Sequence, residues 1–204
     1  MEMLVKIGMC LLAALFVPVV HEMAKTFVYI GLRLKNPTDE PENFRNTFKV
    51  YKYIDPVGVI FSMIAYAGIS KPYRYRLKEQ REYLILGITG FLTLACLCVG
   101  SVLWLRMEFG GMEGLLALES AGIGAAMMLS LFLQYVFVIS AGMGIVNLFP
   151  ISTTDMGFLV AGASMPKYFL CILADARVKL LFFLVVILGI IRIITLYMLQ
   201  ILLM

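Results

Sequence analysis

The chain has 204 residues, 62% of them hydrophobic and only 15% charged, with a mean hydropathy of +0.95. That composition excludes a soluble domain of this length and points to an all-α polytopic membrane protein. The formal net charge of +4 is modest, and the basic residues fall in short stretches beside apolar segments, so lipid contact accounts for them and no nucleic-acid role is needed.

In chain order, the first apolar segment covers residues 3–34 and carries His21-Glu22-Met23-Ala24-Lys25 near its middle. It offers no convincing small-residue cleavage site, so it is expected to remain as a span and not to be removed as a signal peptide. Ionisable groups inside a span are costly and mark function. His21 is the only histidine in the chain. On a helix, His21 and Lys25 stand at i and i+4 and share one face. Asn36-Pro37-Thr38-Asp39-Glu40-Pro41 then breaks the helix. Residues 57–70 are apolar but short for a crossing, bounded by Asp55-Pro56 and Lys71-Pro72, and are expected to form a thin or re-entrant segment.

Clear spans are expected over residues 83–105 and 123–141, because residues 84–105 and 120–151 contain no charge at all. Residues 144–157 place Asn147, Pro150, Ser152, Thr153, Thr154 and Asp155 in apolar surroundings. Non-helical backbone at that depth must be buried in protein or line a cavity. Met165-Pro166 closes this broken segment, and a final span is expected over residues 178–203. Its single charge, Arg192, is expected to pair with a partner or a buried acid. The sum is one domain over residues 1–204 with five to six membrane segments.

Segment 33–53 holds Arg33, Lys35, Arg45, Lys49 and Lys52, and segment 71–81 holds Lys71, Arg74, Arg76, Lys78 and Arg81. Both are predicted to be cytoplasmic. Residues 106–119 carry Arg106 against Glu108, Glu113 and Glu119, which suits the opposite side. Cys10, Cys96, Cys98 and Cys171 form no disulfide framework or metal spacing, and read as small apolar side chains. Ala121-Gly122-Ile123-Gly124-Ala125-Ala126 has the small-residue spacing that lets helices approach closely.

Three stretches combine: His21-Glu22-Met23-Ala24-Lys25; Tyr53-Ile54-Asp55-Pro56-Val57-Gly58 with Gly68-Ile69-Ser70-Lys71-Pro72; and Asn147-Leu148-Phe149-Pro150 followed by Asp155 and Gly157. Their order resembles the site-2 protease family of intramembrane zinc metalloproteases in its compact bacterial form, over about residues 17–157. The resemblance implies a site-2 protease-like core over residues 3–157 with an additional span over 178–203, in a bacterial plasma membrane. It also implies His21 and Asp155 as zinc ligands, Glu22 as general base, and Asn147 and Pro150 lining the site. The H-E-x-x-H motif of that family uses two imidazoles one helical turn apart to hold zinc. Here Lys25 takes the second position, Met156 replaces a glycine, Gly90-Phe91 stands for Gly-Pro, and Tyr53 replaces a histidine.

Catalytic zinc sites usually use three protein ligands, and His21 and Asp155 are two. The expectation is therefore a degenerate zinc site without a cofactor, in a pseudoprotease that binds membrane lipids and a transmembrane or membrane-associated protein. One alternative is an active protease holding Zn2+ and cleaving a transmembrane regulatory protein. The other is a small transport or scaffold subunit. The Lys25 ammonium is expected between Glu22 and Asp155, where a zinc charge would stand; the plain alternative is snorkelling to the interface.

Overall fold

The computed structural model describes residues 2–34, 50–70, 75, 77, 79–121 and 123–204. Every regular element among them is helical: α1 (Glu2–Leu34), a short 3-10 turn (Val50–Lys52), α2 (Pro56–Ala65), α3 (Gln80–Phe109), α4 (Met112–Ala121), α5 (Ala125–Asn147), α6 (Asp155–Ala163), α7 (Met165–Ile187) and α8 (Ile190–Leu203). Helices α1, α3 and α5 are long and apolar enough to cross a membrane. The bent pair α7 and α8 supplies a fourth crossing if it is one span. The all-helical class thus follows from the composition, with three to four helices among the described residues long and apolar enough to cross, and the shorter apolar α2 beside them.

At 1.5 Å per residue, α1 is about 50 Å long, so it outruns a hydrocarbon core of about 30 Å. Pro18 lies within it. Helix α2 starts where Asp55 caps it, accepting from the Val57 N–H at 3.1 Å, with Pro56 at its first position. It has only 10 residues, in keeping with the short segment expected there. Helix α3 opens on a capping box between Glu79 and Glu82. It ends at Gly110, whose φ of 70° is followed by 74° at Gly111, a double left-handed turn that suits glycine. Most of residues 106–119, expected as an acidic loop, is helical: α3 runs on to Phe109 and α4 begins at Met112.

The final span differs from expectation. The helix begins earlier, at Met165, and breaks at Leu188-Gly189, with Gly189 at φ 67° and a bend of 58° between α7 and α8. Helix α8 is part of the core and not an appendage: Leu199 and Leu203 join Ala13, Ala14 and Val17 of α1, Leu94 and Leu105 of α3, and Phe137, Ile139 and Met143 of α5. Ile191 packs with Ala65, Ala67, Val146, Phe182 and Val186 in a second cluster. Arg192 lies 5.6 Å over the Tyr66 ring, a cation–π contact.

Outward-facing Leu92, Leu103, Leu173, Leu180 and Ile187 are exposed, as lipid-facing side chains should be. Of the small-residue run 121–126, Ala121 ends α4 and Ala125-Ala126 open α5, while Gly122 lies outside the described residues. Close approach occurs instead at Gly142 of α5, where a Cβ would fall 1.9 Å from the Tyr66 carbonyl oxygen. The four cysteines are free thiols. Most of the basic residues of 33–53 and 71–81 fall outside the described residues.

Candidate functional site

Helix α1 delivers three side chains to one place because its last member stands four positions after the first and three after the second, so one helical turn brings it over both. These are His21, Glu22 and Lys25, each 1% exposed. The fourth member, Asp155, is fully buried and is the first residue of α6. The chain reaches it through the non-helical stretch after Asn147, where the sequence placed a break. Thr154 caps α6 by accepting from the Gly157 N–H. The Asn147 side-chain carbonyl accepts from the Asp155 N–H at 3.4 Å. Pro150 lies in the same loop but is exposed.

Asp155 fits only because α3 presents glycines to it. A Cβ on Gly90 would lie 2.3 Å from the Asp155 carboxylate, and one on Gly87 2.9 Å from its backbone oxygen. Gly157 removes a clash with the Ile151 carbonyl, which a Cβ would approach to 2.1 Å. Asp175 of α7 holds the delivering loop from outside, accepting from the Ser152 N–H at 2.9 Å and its hydroxyl at 3.0 Å.

The four groups form a compact charged cluster. His21 Nε2 is 2.8 Å from Asp155 Oδ2, and His21 Nδ1 is 3.2 Å from Glu22 Oε1. Lys25 Nζ is 3.1 Å from Glu22 Oε1 and 2.9 Å from Asp155 Oδ1. Neither Asp155 Oδ1 nor His21 Nδ1 has an aligned hydrogen-bond partner. Lys25 is held at ion-pair distance by both carboxylates. Its ammonium also lies 5.2 Å from the Phe158 ring centroid and 6.0 Å from that of Tyr75. It is buried, so it does not snorkel.

The second stretch of the sequence reaches the cluster too. Ser70 donates to Glu22 Oε1 at 2.7 Å and the Tyr75 hydroxyl donates to Glu22 Oε2 at 3.3 Å. Tyr75 packs edge-on against Tyr29 at 5.2 Å and Phe158 at 6.0 Å. Tyr53 is 1% exposed and is hydrogen-bonded to the Thr26 side chain. Thr26 itself donates to the Glu22 carbonyl at 2.8 Å. Gly58 explains how Ser70 gets there: a Cβ on it would lie 2.0 Å from the Ile69 carbonyl oxygen, so α2 rests directly on the backbone next to Ser70. Gly58→Ala should push that backbone away and destabilise the chain by about 1–3 kcal/mol. Ser70→Ala should cost about 1 kcal/mol for one hydrogen bond. Unfolding titrations of both variants in detergent check the ranking.

Comparison with family models, curated proteins and solved structures finds no match.

The residues present do not fit zinc. Zinc bound at 2.0–2.1 Å to both His21 and Asp155 would hold their atoms about 3.3 Å apart in a tetrahedron. Instead the two are in direct hydrogen-bond contact, and the next vertex is an ammonium with no free electron pair. No group of three or more His, Cys, Asp or Glu side chains suited to a metal occurs among the described residues. The structure brings together His21, Glu22, Lys25, Asn147 and Asp155. Ser70, Tyr75, Phe158 and Asp175 were not singled out from the sequence. Ser70 lay in a recognised stretch and could have been found; nothing local marked Tyr75 or Asp175.

Proposed function

We propose that the chain is a site-2 protease-like membrane protein in which Lys25 stands where the metal would. In this reading it is a pseudoprotease that binds a transmembrane or membrane-associated protein without cutting it. The observation that carries the reading is the Lys25 ammonium, sealed from solvent and within about 3 Å of both Glu22 and Asp155. One cation beside two carboxylates offsets charge that would otherwise be stranded in a low-dielectric interior. Glu22 is fully engaged by Lys25, Ser70 and Tyr75, which leaves it poorly placed as a general base.

Partner binding is supported by an apolar groove of about 420 Å³ between α1 and α5, lined by Met9, Leu12, Phe16, Met128, Leu129 and Phe132. Methionine and phenylalanine there suit an adaptable surface for another apolar segment. His21, Glu22, Lys25 and Asp155 are each no more than 1% exposed, which favours this reading over a polar path for transport.

Elemental analysis of detergent-purified protein tests the proposal, with Lys25→His in parallel. The natural chain should hold less than about 0.1 zinc per molecule, and the variant should bind close to one, since it adds the third ligand that a catalytic zinc site uses. Near-stoichiometric zinc in the natural protein would overturn the reading in favour of an active metalloprotease. Zinc absent from both would remove the kinship with a metal site.

A further inference from the structure

The last apolar stretch carries a cation that the described residues do not neutralise. Residues 180–204 hold no charge besides Arg192. It is exposed, and its guanidinium makes no hydrogen bond or ion pair with any described residue; its contact is the Tyr66 ring at 5.6 Å. An aromatic face attracts a cation without cancelling its charge, and a guanidinium has five N–H donors to satisfy.

The position is deep. Arg192 precedes the end of α8 at Leu203 by about 17 Å of helix axis, well beyond the reach of an arginine side chain. Tyr66, beneath it, packs on Tyr135 near the middle of α5, with 6.3 Å between ring centroids. In a bilayer such an arginine is costly, and residues of this kind pair with an acid or line a polar path. Its place in the helix adds to the cost. Arg192 stands in the first turn of α8, the positive end of the helix, where Gly189 supplies no side-chain cap.

Among the described residues no acid is spare for it. Glu22 and Asp155 are committed to Lys25, and Asp175 to Lys179. The other acids stand at helix ends, in caps or in α4. A second copy of the chain would bring the same committed groups, and a two-fold dimer through this face would set one Arg192 near the other.

We propose that Arg192, with Ile193 and Leu196 exposed beside it on α8, is the docking point for a transmembrane helix of another protein that carries an aspartate or glutamate near its middle. That carboxylate pairs with the guanidinium fork and meets the positive end of α8, while Ile193 and Leu196 pack on the apolar residues around it. This deepens the partner-binding half of the reading above, and rests on it for the existence of a partner.

Association in vesicles tests the proposal on the full chain. The probes are synthetic helices of about 20 leucines with aspartate, asparagine, leucine or lysine at the centre. Each carries a fluorophore read by energy transfer from the labelled protein in phosphatidylcholine vesicles. The aspartate helix should bind about tenfold more tightly than the leucine helix, the scale of polar contacts between model helices, and the lysine helix least. Arg192→Lys should keep the preference, Arg192→Leu should remove it, and Arg192→Glu should transfer it to the lysine helix. Equal binding of the aspartate helix and either the leucine or the asparagine helix would overturn the proposal, as would an aspartate preference that survives Arg192→Leu. A preference lost on adding phosphatidylglycerol would also overturn it, by assigning Arg192 to a lipid phosphate. Comparing the probes on the unmutated protein needs no variant to fold. The readout is blind to zinc, so this proposal and the pseudoprotease reading fail separately.

Discussion

Lys25→Ala should destabilise the folded chain by about 3–5 kcal/mol, the loss typical of breaking a buried ion pair from one side. The mutation strands Glu22 and Asp155, which are 1% and 0% exposed, with His21 as the other close charge partner among the described residues. Lys25→Met should behave almost as badly, because it restores the length of the side chain but not the charge. The triple variant Glu22→Gln, Lys25→Met, Asp155→Asn should recover much of the loss, since nothing charged is then left unpaired. Unfolding titrations in mixed micelles give the ranking. A Lys25→Ala protein as stable as the natural one would sink the ion-pair account of this site.

Gly90→Ala is the second large effect, and its sign is the diagnostic. In an exposed helix interior, glycine to alanine gains about 1 kcal/mol. At Gly90 the new methyl would lie 2.3 Å from the Asp155 carboxylate. Either α6 moves off α3 or the carboxylate leaves His21 and Lys25, and the variant should lose about 1–3 kcal/mol. The control is the same change in an Asp155→Ala background. There the three atoms nearest the new methyl are gone, so Gly90→Ala should cost far less, a non-additivity expected of residues in contact. If the change were equally harmful in both backgrounds, Gly90 would matter for some reason other than seating Asp155.

The two effects show where the sequence is readable. His21, Glu22 and Lys25 are local: helical periodicity puts Lys25 one turn from both His21 and Glu22, and an apolar run with ionisable groups in its middle announces a site. The break after Asn147 is legible for the same kind of reason, because Pro150, the Ser-Thr-Thr run and Asp155 cannot continue an apolar helix unaided. The bend at Leu188-Gly189 was missed. The apolar run continues through it without interruption, and Gly189 is marked by a positive φ and not by polarity. Helix α4 was missed because three glutamates made residues 106–119 look like a loop, although Met112 and Leu115 pack against the core.

Composition and periodicity by themselves determined that this is a helical membrane protein, where its first, third and fifth helices run, and that a polar site sits in the first. They could do so because apolar content and side-chain spacing are properties of short stretches of chain. Only the tertiary structure decided what the site is made of. His21 and Asp155 are 134 positions apart and touch at 2.8 Å, because glycines at 87 and 90 let two helices close on one another. Lys25 had two destinations open to it, the interface or the interior. Two carboxylates on different helices, brought within about 3 Å of its ammonium, made the interior the lower in free energy.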